Sequence, residues 1–381
     1  MHEKRQLEES ILKKLKNNPV VAILGPRQCG KTTLAKKLLA TIENSLYLDL
    51  ESSQDRNQLN DLWAFFEANK KKTICLDEIQ MMPEIFSQIR SFVDQQQMPG
   101  QFLILGSASR DLIQQSSETL AGRISYVELT PFRLLECSKK SLQEHWLQGG
   151  FPRSLLASDL ESSHDWRKNY IRSFLERDLP QLGFRVPAQV LENFWKICAH
   201  SHGQTLHATK LAQGLGVTDH TIKRYLEILK ETFMVRLLPP YSGNVKKRLI
   251  KSPKVYLRDS GLVHTLLSIE SYNELLGHPV KGFSFEGFVI ENLIEKFSRY
   301  DAFFYRTSKG EELDLVFEGK GQRIVFEIKA STTPSVKKGF WRALEQIKAD
   351  QSYIIADVKE SYVYQNNVRV LNLYEALDKS Y

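Results

Sequence analysis

Five short apolar runs punctuate the first third of the chain. Val20–Leu24 ends in Gly25-Pro26, Thr73–Leu76 ends in Asp77-Glu78, and Phe102–Leu105 ends in Gly106-Ser107. Ser45–Leu50 and Ser125–Leu129 have the same β-type content. Stretches with helical spacing lie between them, such as Thr32–Leu39 and Pro83–Asp94. Strands alternating with helices predict a mainly parallel α/β sheet. From about Arg133 to His202 the pattern turns helical: in HDWRKNYIRSFLERDL, Trp166, Tyr170, Phe174 and Leu175 recur at helical spacing. From Gly203 to about Ser260 it predicts two short helices and two β-like runs. A new α/β segment begins near Gly282, with a helix at Phe285–Phe297 and strands near Phe303–Arg306, Glu312–Phe317, Arg323–Lys329 and Tyr353–Ala356. The change of pattern near Glu270–Lys281 marks a domain boundary.

Composition narrows the class. A chain of 381 residues is too long for one ordinary core, so two to four domains are expected. Hydrophobic residues at 42% and charged residues at 25% describe a soluble globular protein. A formal charge of +7 permits an anionic partner without demanding one. The four cysteines, Cys29, Cys75, Cys137 and Cys198, form no C-x-x-C pair, which argues against a zinc site or a disulfide framework. The charged start MHEKRQLEES lacks an apolar signal region, and no apolar run is long enough to span a bilayer. The expectation is a cytoplasmic protein with no membrane partner.

The strongest chemical signal is GPRQCGKTT. Gly25-x-x-x-x-Gly30-Lys31-Thr32 satisfies the phosphate-loop pattern and sits between a strand and a helix, the context that pattern needs. Backbone N–H groups from Gly25, Pro26, Arg27, Gln28, Cys29, Gly30, Lys31, Thr32 and Thr33 are the candidate nucleotide cradle, less Pro26, which has none. Lys31 is expected on the β and γ phosphates, and the Thr32 hydroxyl on Mg²⁺. Asp77 would hold the same metal, and Glu78 would orient or deprotonate the attacking water. A solvent-facing acidic pair is the plainer reading of a strand end, and the phosphate loop upstream weighs against it. Ser107, with Ser109, is placed as a polar sensor of the γ phosphate. Arg123 is favoured over Arg110 and Arg177 as the cation that phosphoryl transfer requires; a surface ion pair is the alternative for each.

TLHATKLAQGLGVTDHTIKRYLEIL, from Thr205 to Leu229, has the spacing of a helix-turn-helix, with Ala212, Gly216 and Ile222 at its small and apolar positions. Thr218 is the expected cap of the second helix. His220, Thr221, Lys223 and Arg224 would lie on or near its exposed face. From Arg236 to Arg258 there are seven Lys or Arg and no Asp or Glu, which suggests a winged helix with a basic wing. Lys246, Lys247, Arg248 and Lys251 are the candidate DNA phosphate contacts. A structural or protomer-contacting module fits the same pattern.

In ELDLVFEGKGQRIVFEIKA, Glu327 and Lys329 share one face of a strand, and Asp314 lies on the strand before it. Gly319 and Gly321 mark the turn between them. Antiparallel pairing would set Asp314 beside Glu327 in the D…E-x-K arrangement of PD-(D/E)xK nucleases. There the carboxylates would bind Mg²⁺ and the lysine would orient water. Glu286, early on the preceding amphipathic helix, is a further candidate acid. A charged, solvated hairpin is the alternative.

GPRQCGKTT, LDEIQ, GSAS, LAGR, LTPFRLLE, GGFPRSL and LERDL together resemble a large prokaryotic family of AAA-type ATPases with an appended restriction-endonuclease-like domain. The resemblance runs from about Pro19 to the last strands. It implies ATP as the nucleotide and a winged helix after the ATPase, and leaves the substrate open. Arg306 and Glu312 match that family's Y-R…E-x-D pattern. The expected layout is an α/β chain with a P-loop AAA-type ATPase core at 1–135, a helical connector at 136–202, a winged helix at 203–265 and a nuclease-like α/β domain at 278–381. The expected function is ATP hydrolysis coupled to action on DNA. The competing reading is an ATP-controlled switch that docks a protein partner through an inactive nuclease-like domain. The sequence leaves homo-oligomers open.

Overall fold

The computed structural model describes residues 3–107, 119–206, 208–243 and 252–381. They fall into two compact units, Met1–Phe132 with Glu231–Phe233, and Arg133–Lys230 with Met234–Tyr381. Among the described residues no helix is long and apolar enough to cross a membrane, and the four cysteines are buried and free.

In the first unit, β1 (Val20–Leu24), β2 (Ser45–Asp49), β3 (Thr73–Asp77), β4 (Phe102–Gly106) and β5 (Ile124–Glu128) form a sheet in the order β2-β3-β4-β1-β5. Each pair is parallel, as the alternating pattern predicts. Both faces of β1 are buried. Val20, Ala22 and Leu24 join one apolar cluster, and Val21 and Ile23 join the other, because successive side chains point to opposite faces. The chain leaves β1 and returns beside it as β4, so the crevice at the strands' carboxyl ends is open to a ligand.

This register corrects the expectation for Arg123. Val20 pairs with Ile124, and Val20 N–H donates to Arg123 O. Arg123 therefore sits at the amino end of the sheet, a full strand length, roughly 17 Å at 3.3 Å per residue, from the phosphate loop. Its guanidinium is spent on Asp94, with Nη2 3.0 Å from Oδ2, and on Ala121 O at 2.8 Å. The surface ion pair is the reading that fits.

In the second unit, a six-stranded mixed sheet has the order β13-β14-β12-β11-β10-β9. Its strands are β9 (Asp301–Arg306), β10 (Glu312–Gly319), β11 (Gln322–Lys329), β12 (Gln351–Ala356), β13 (Tyr362–Val363) and β14 (Arg369–Leu371). A smaller antiparallel sheet, β6-β8-β7, is built from β6 (Gln204–Thr205), β7 (Val235–Leu238) and β8 (Lys254–Leu257). The helix Lys281–Lys296, buried continuously from Ser284 to Leu293, shares one apolar cluster with the connector helices, the small sheet and the large sheet.

Two polar devices tie these segments together. Glu291 on that helix is 3% exposed and is held by Arg236, Arg258 and Arg133. Although burial opposes the charge, the three guanidiniums keep its carboxyl far below the usual range. The second device explains GGFPRSL. Asp259 caps the helix Ser260–Leu266 through Leu262 N–H at 2.9 Å and accepts from Gly150 N–H at 2.7 Å. Gly149, at φ +74°, approaches so closely that a Cβ would lie 2.2 Å from Asp259 Oδ1.

Candidate functional sites

The loop after β1 is built for phosphate. Gln28 (φ 62°) and Gly30 (φ 102°) adopt left-handed backbone, which turns N–H groups into a concave nest ahead of the helix Lys31–Leu39. Gly25 is fixed by packing, since a Cβ there would lie 2.1 Å from Leu129 O. Cys29 Sγ is 3.4 Å from Leu129 O and fully buried, and that burial pushes its thiol pKa up. Cys29 thus offers the nucleotide only its backbone. Pro26 is buried, Thr33 is exposed, and Arg27 Nη2 lies 3.8 Å from Glu51 Oε1. Lys31, 5% exposed, donates to Gly25 O at 3.0 Å and Pro26 O at 2.9 Å. The loop folds over its own ammonium.

The acids stand where the sequence places them, with partners it did not reveal. Asp77 Oδ2 accepts from Thr32 Oγ1 at 2.6 Å and from the Tyr47 hydroxyl at 2.8 Å. Thr32 and Asp77 are therefore adjacent hard oxygen donors, a set that suits Mg²⁺ retaining several waters. Glu78 has left-handed backbone (φ 54°, ψ 47°), a strain of about 1–2 kcal/mol for a side-chain-bearing residue. Its carboxyl pKa is raised by burial and opposed by Lys31, and the Gln80 amide donates to it. Ser107, 3% exposed at the carboxyl end of β4, has a buried hydroxyl that makes no hydrogen bond among the described residues.

In the second unit β10 and β11 pair with Leu315 opposite Phe326, which sets Asp314 across from Glu327. Ile328 N–H donates to Asp314 Oδ2 at 2.8 Å. Lys329 Nζ lies 2.6 Å from Glu327 Oε1 and 3.8 Å from Asp314 Oδ2. Glu286 reaches the cluster from its helix. The Tyr256 hydroxyl donates to its Oε1, and Lys254 Nζ lies 3.0 Å from that oxygen and 2.9 Å from Glu312 Oε1. Arg306 Nε is 3.6 Å from Glu312 Oε2. Asp314, Glu327, Lys329 and Glu312 line a cavity of about 240 Å³, closed on its other side by Ser335 and Lys337.

The electrostatics show a site short of positive charge. Burial and the Asp314 charge push Glu327 up to about 8. Burial pushes Glu286 up to about 7, with Lys254 opposing and Asp314 adding. Glu327 Oε2 is buried and has no hydrogen-bond partner among the described residues. Among the described residues no group of three or more His, Cys, Asp or Glu is arranged to hold a metal. Two carboxylates are enough for Mg²⁺, and Asp314 with the free oxygen of Glu327 fits that ion.

The helices Ala208–Leu215 and Asp219–Glu231 occupy the stretch expected as helix-turn-helix. Gly216 turns the chain at φ +64°, and Thr218 Oγ1 accepts from Thr221 N–H at 3.2 Å. Ala212 and Ile222 are buried, while His220, Lys223 and Arg224 are exposed. Lys246, Lys247, Arg248 and Lys251 lie outside the described residues, as do Ser109 and Arg110. The basic run is less outward than its composition suggests. Arg236 and Arg258 bind Glu291, and Lys254 enters the carboxylate site. Arg177, largely exposed, pairs with Asp178 at 3.0 Å.

Sequence reasoning missed Tyr47, Gln80, Tyr256 and Lys254. Tyr47 could have been found from its parallel register, since β2 and β3 set Tyr47 beside Cys75 and Asp49 beside Asp77. For Lys254 the local signal was misleading, because a basic run reads as a solvated face.

The first unit is a P-loop nucleotide-binding core of the AAA type, and residues 17–138 match the AAA-domain family model. Residues 139–273 and 281–376 match two domains of unknown function, DUF8612 and DUF4143. The chain is 39% identical over 353 residues to "Uncharacterized protein Rv2008c" of Mycobacterium tuberculosis and, equally, to "Uncharacterized protein Mb2031c" of Mycobacterium bovis, covering 93% of this chain and 80% of each relative. It belongs to the same family as these mycobacterial proteins. Among solved structures, the walker-type ATPase paby2304 of Pyrococcus abyssi is 14% identical with a TM-score of 0.49, covering 69% of this chain and 95% of that one.

Proposed function

We propose that the chain binds and hydrolyses MgATP in its first unit and acts on DNA with its second, where a Mg²⁺-dependent nuclease-like site is built from Asp314, Glu327 and Lys329. What supports the DNA half of this reading is the convergence of those three side chains on one cavity, with a buried Glu327 oxygen left unpartnered. Asp314 and Glu327 would hold the ion, and Lys329 would orient a water at the phosphodiester. A bound Mg²⁺ would polarise the phosphate and make that water more acidic. In the first unit Lys31 and the loop N–H groups would bind the phosphates, Thr32 and Asp77 would hold the metal, and Glu78 would take the water's proton. The two short helices with β7 and β8 act as a winged helix, and Lys223 and Arg224 contact DNA phosphates.

Purified full-length protein incubated with plasmid and Mg²⁺, with and without ATP, tests this reading. Wild type should cut, with Asp314→Ala and Lys329→Ala slower by about 100-fold or more, the scale lost when one electrostatic catalytic group is removed. Equal degradation by all three would sink the proposed site. Nucleotide-dependent association without cleavage by any of them would favour the switch. In a salt titration of DNA binding, Lys223→Ala and Arg224→Ala should each reduce the slope of log K against log salt by about 1.

A further inference from the structure

Lys254 is the least expected member of the carboxylate site. It comes from β8, in the small sheet, while the acids come from β10, β11 and the Glu286 helix. Its side chain is 3% exposed, and its ammonium sits between Glu286 and Glu312 at 3.0 and 2.9 Å. β8 is the central strand of its sheet, and Lys254 pairs with Thr205 on one side and Leu238 on the other. The backbone cannot withdraw the lysine without breaking both ladders. Tyr256, two residues on and therefore on the same face, donates to the same Glu286 oxygen. The Phe304 ring, its centroid 5.5 Å from Nζ, walls the ammonium on another side.

The two ends of the site consequently differ. At the Glu286–Glu312 end, both carboxylates share a fixed cation. At the Asp314–Glu327 end, Lys329 binds one Glu327 oxygen and leaves Oε2 without a partner among the described residues. A buried cation supplied covalently neutralises a carboxylate pair as a bound ion would, and it cannot dissociate.

We propose that Lys254 is a resident cation of this site, standing in for a second divalent ion between Glu286 and Glu312, so that the site takes a single ion on Asp314 and Glu327. The proposal rests on the reading of Asp314 and Glu327 as an ion site, and the small sheet thereby contributes a positioning residue to the nuclease-like centre.

Counting Mn²⁺ bound to nucleotide-free, full-length protein, by electron paramagnetic resonance or calorimetry, tests it. Lys254→Ala opens space between Glu286 and Glu312, leaving them only the Tyr256 hydroxyl and the 3.6 Å Arg306 pair, and should bind one more ion than wild type. An unchanged count in folded Lys254→Ala would overturn the proposal. Glu286→Gln provides an arm free of the risk that Lys254→Ala misfolds. With Lys254 in place Glu286 is no ion ligand, so the wild-type count should persist, with affinity changed by less than the roughly 10-fold that even an outer-shell partner commonly contributes. A loss of 10-fold or more would make Glu286 a ligand and overturn the proposal. Asp314→Asn separates the underlying reading: it should lose one ion. If wild type binds none and Asp314→Asn changes nothing, the Asp314–Glu327 reading fails, and the proposal that assigns the single ion to that pair is overturned with it. If wild type binds its ion but only the Lys254 and Glu286 arms go the wrong way, the proposal alone falls.

Discussion

The phosphate loop and, on the function proposed for it, the carboxylate site would solve the same problem, holding phosphate-linked negative charge near a metal, with opposite materials. In the first unit the binding surface is mainly backbone, one contiguous loop whose left-handed turns at Gln28 and Gly30 aim N–H groups inward. Its buried acid, Asp77, is quieted by two hydroxyls, Thr32 and Tyr47. In the second unit the surface is all side chain. Glu286, Glu312, Asp314 and Glu327 arrive from three elements and face Lys254 and Lys329, so charge is balanced against charge. A backbone site depends on local conformation and survives many side-chain changes. A side-chain site depends on tertiary register, and losing one partner leaves a buried charge uncompensated.

Lys31 gives the sharpest test of that contrast, because its ammonium is the charge the loop folds over. Lys31→Ala should lower the ATP hydrolysis rate by about 10²–10³-fold, the range seen when one preorganised donor to transferring charge is removed. Its thermal stability without nucleotide should change little, since the hydrogen bonds of the ammonium go to Gly25 O and Pro26 O of its own loop. Mn²⁺ binding at Asp314 should be untouched. Hydrolysis within 10-fold of wild type would place the essential cation elsewhere in the loop.

Legibility in the sequence followed the same division. The P-loop, Asp77 and Glu78 were readable because a strand, a loop and a helix in one short stretch carry the chemistry. The hairpin of β10 and β11 was readable because alternation fixes which residues share a face, and Asp314 stands across from Glu327 as that pattern requires. Arg123 was misjudged because LAGR says nothing about which end of β5 meets the loop, and only the parallel register with β1 decides it. Lys254 was invisible because its partners, Glu286 and Glu312, lie more than thirty residues on, and a lysine in a basic run carries no mark of burial. GGFPRSL was conspicuous for a structural reason, the close approach of Gly149 to the capping Asp259.

Acid should separate the two units next. The first unit has no histidine among its described residues. In the second, burial lowers both His202 and His264 to about 3. Leu257 N–H donates to His202 Nδ1. His264 lies between Leu147 O at 2.9 Å and Ser284 Oγ at 2.7 Å, and Trp146 Nε1 donates to that same hydroxyl. Both rings therefore favour the neutral form. Because the folded pKa is depressed, their contribution is present above the unfolded value of about 6.5 and is lost as pH falls below it, by up to about 1.4 kcal/mol per pH unit for each ring. By pH 5 the pair alone should cost the second unit on the order of 3–4 kcal/mol, while protonation of Glu286 and Glu327, raised to about 7 and about 8, works in the opposite direction over the same range. Hydrogen exchange read unit by unit between pH 7 and 5 should show protection falling in the second unit first in the Glu286→Gln, Glu327→Gln double variant, where the opposing carboxyls are removed. Parallel decline in both would mean that these rings do not set the acid limit.

The smallest effect tests whether locally coded structure inside the second unit behaves like the phosphate loop. Thr218 caps the helix Asp219–Glu231 through a contact spanning three residues, Thr218 Oγ1 to Thr221 N–H at 3.2 Å. The Thr209 hydroxyl donates to Asp219 in the first turn at 2.8 Å and holds the preceding helix to it. Thr218→Ala should remove about 1 kcal/mol, the usual worth of such a cap. Fraying should be confined to the amides of the first turn, because Ile222 and Tyr225 remain anchored in the core. Lys223 and Arg224 lie beyond that turn, so the salt slope of DNA binding should stay unchanged while the second unit melts slightly earlier. A loss well above 1 kcal/mol, or a fall in the slope with it, would show that this helix is coupled to distant partners as the carboxylate site is, and that the division between local and distributed coding does not run along the helix.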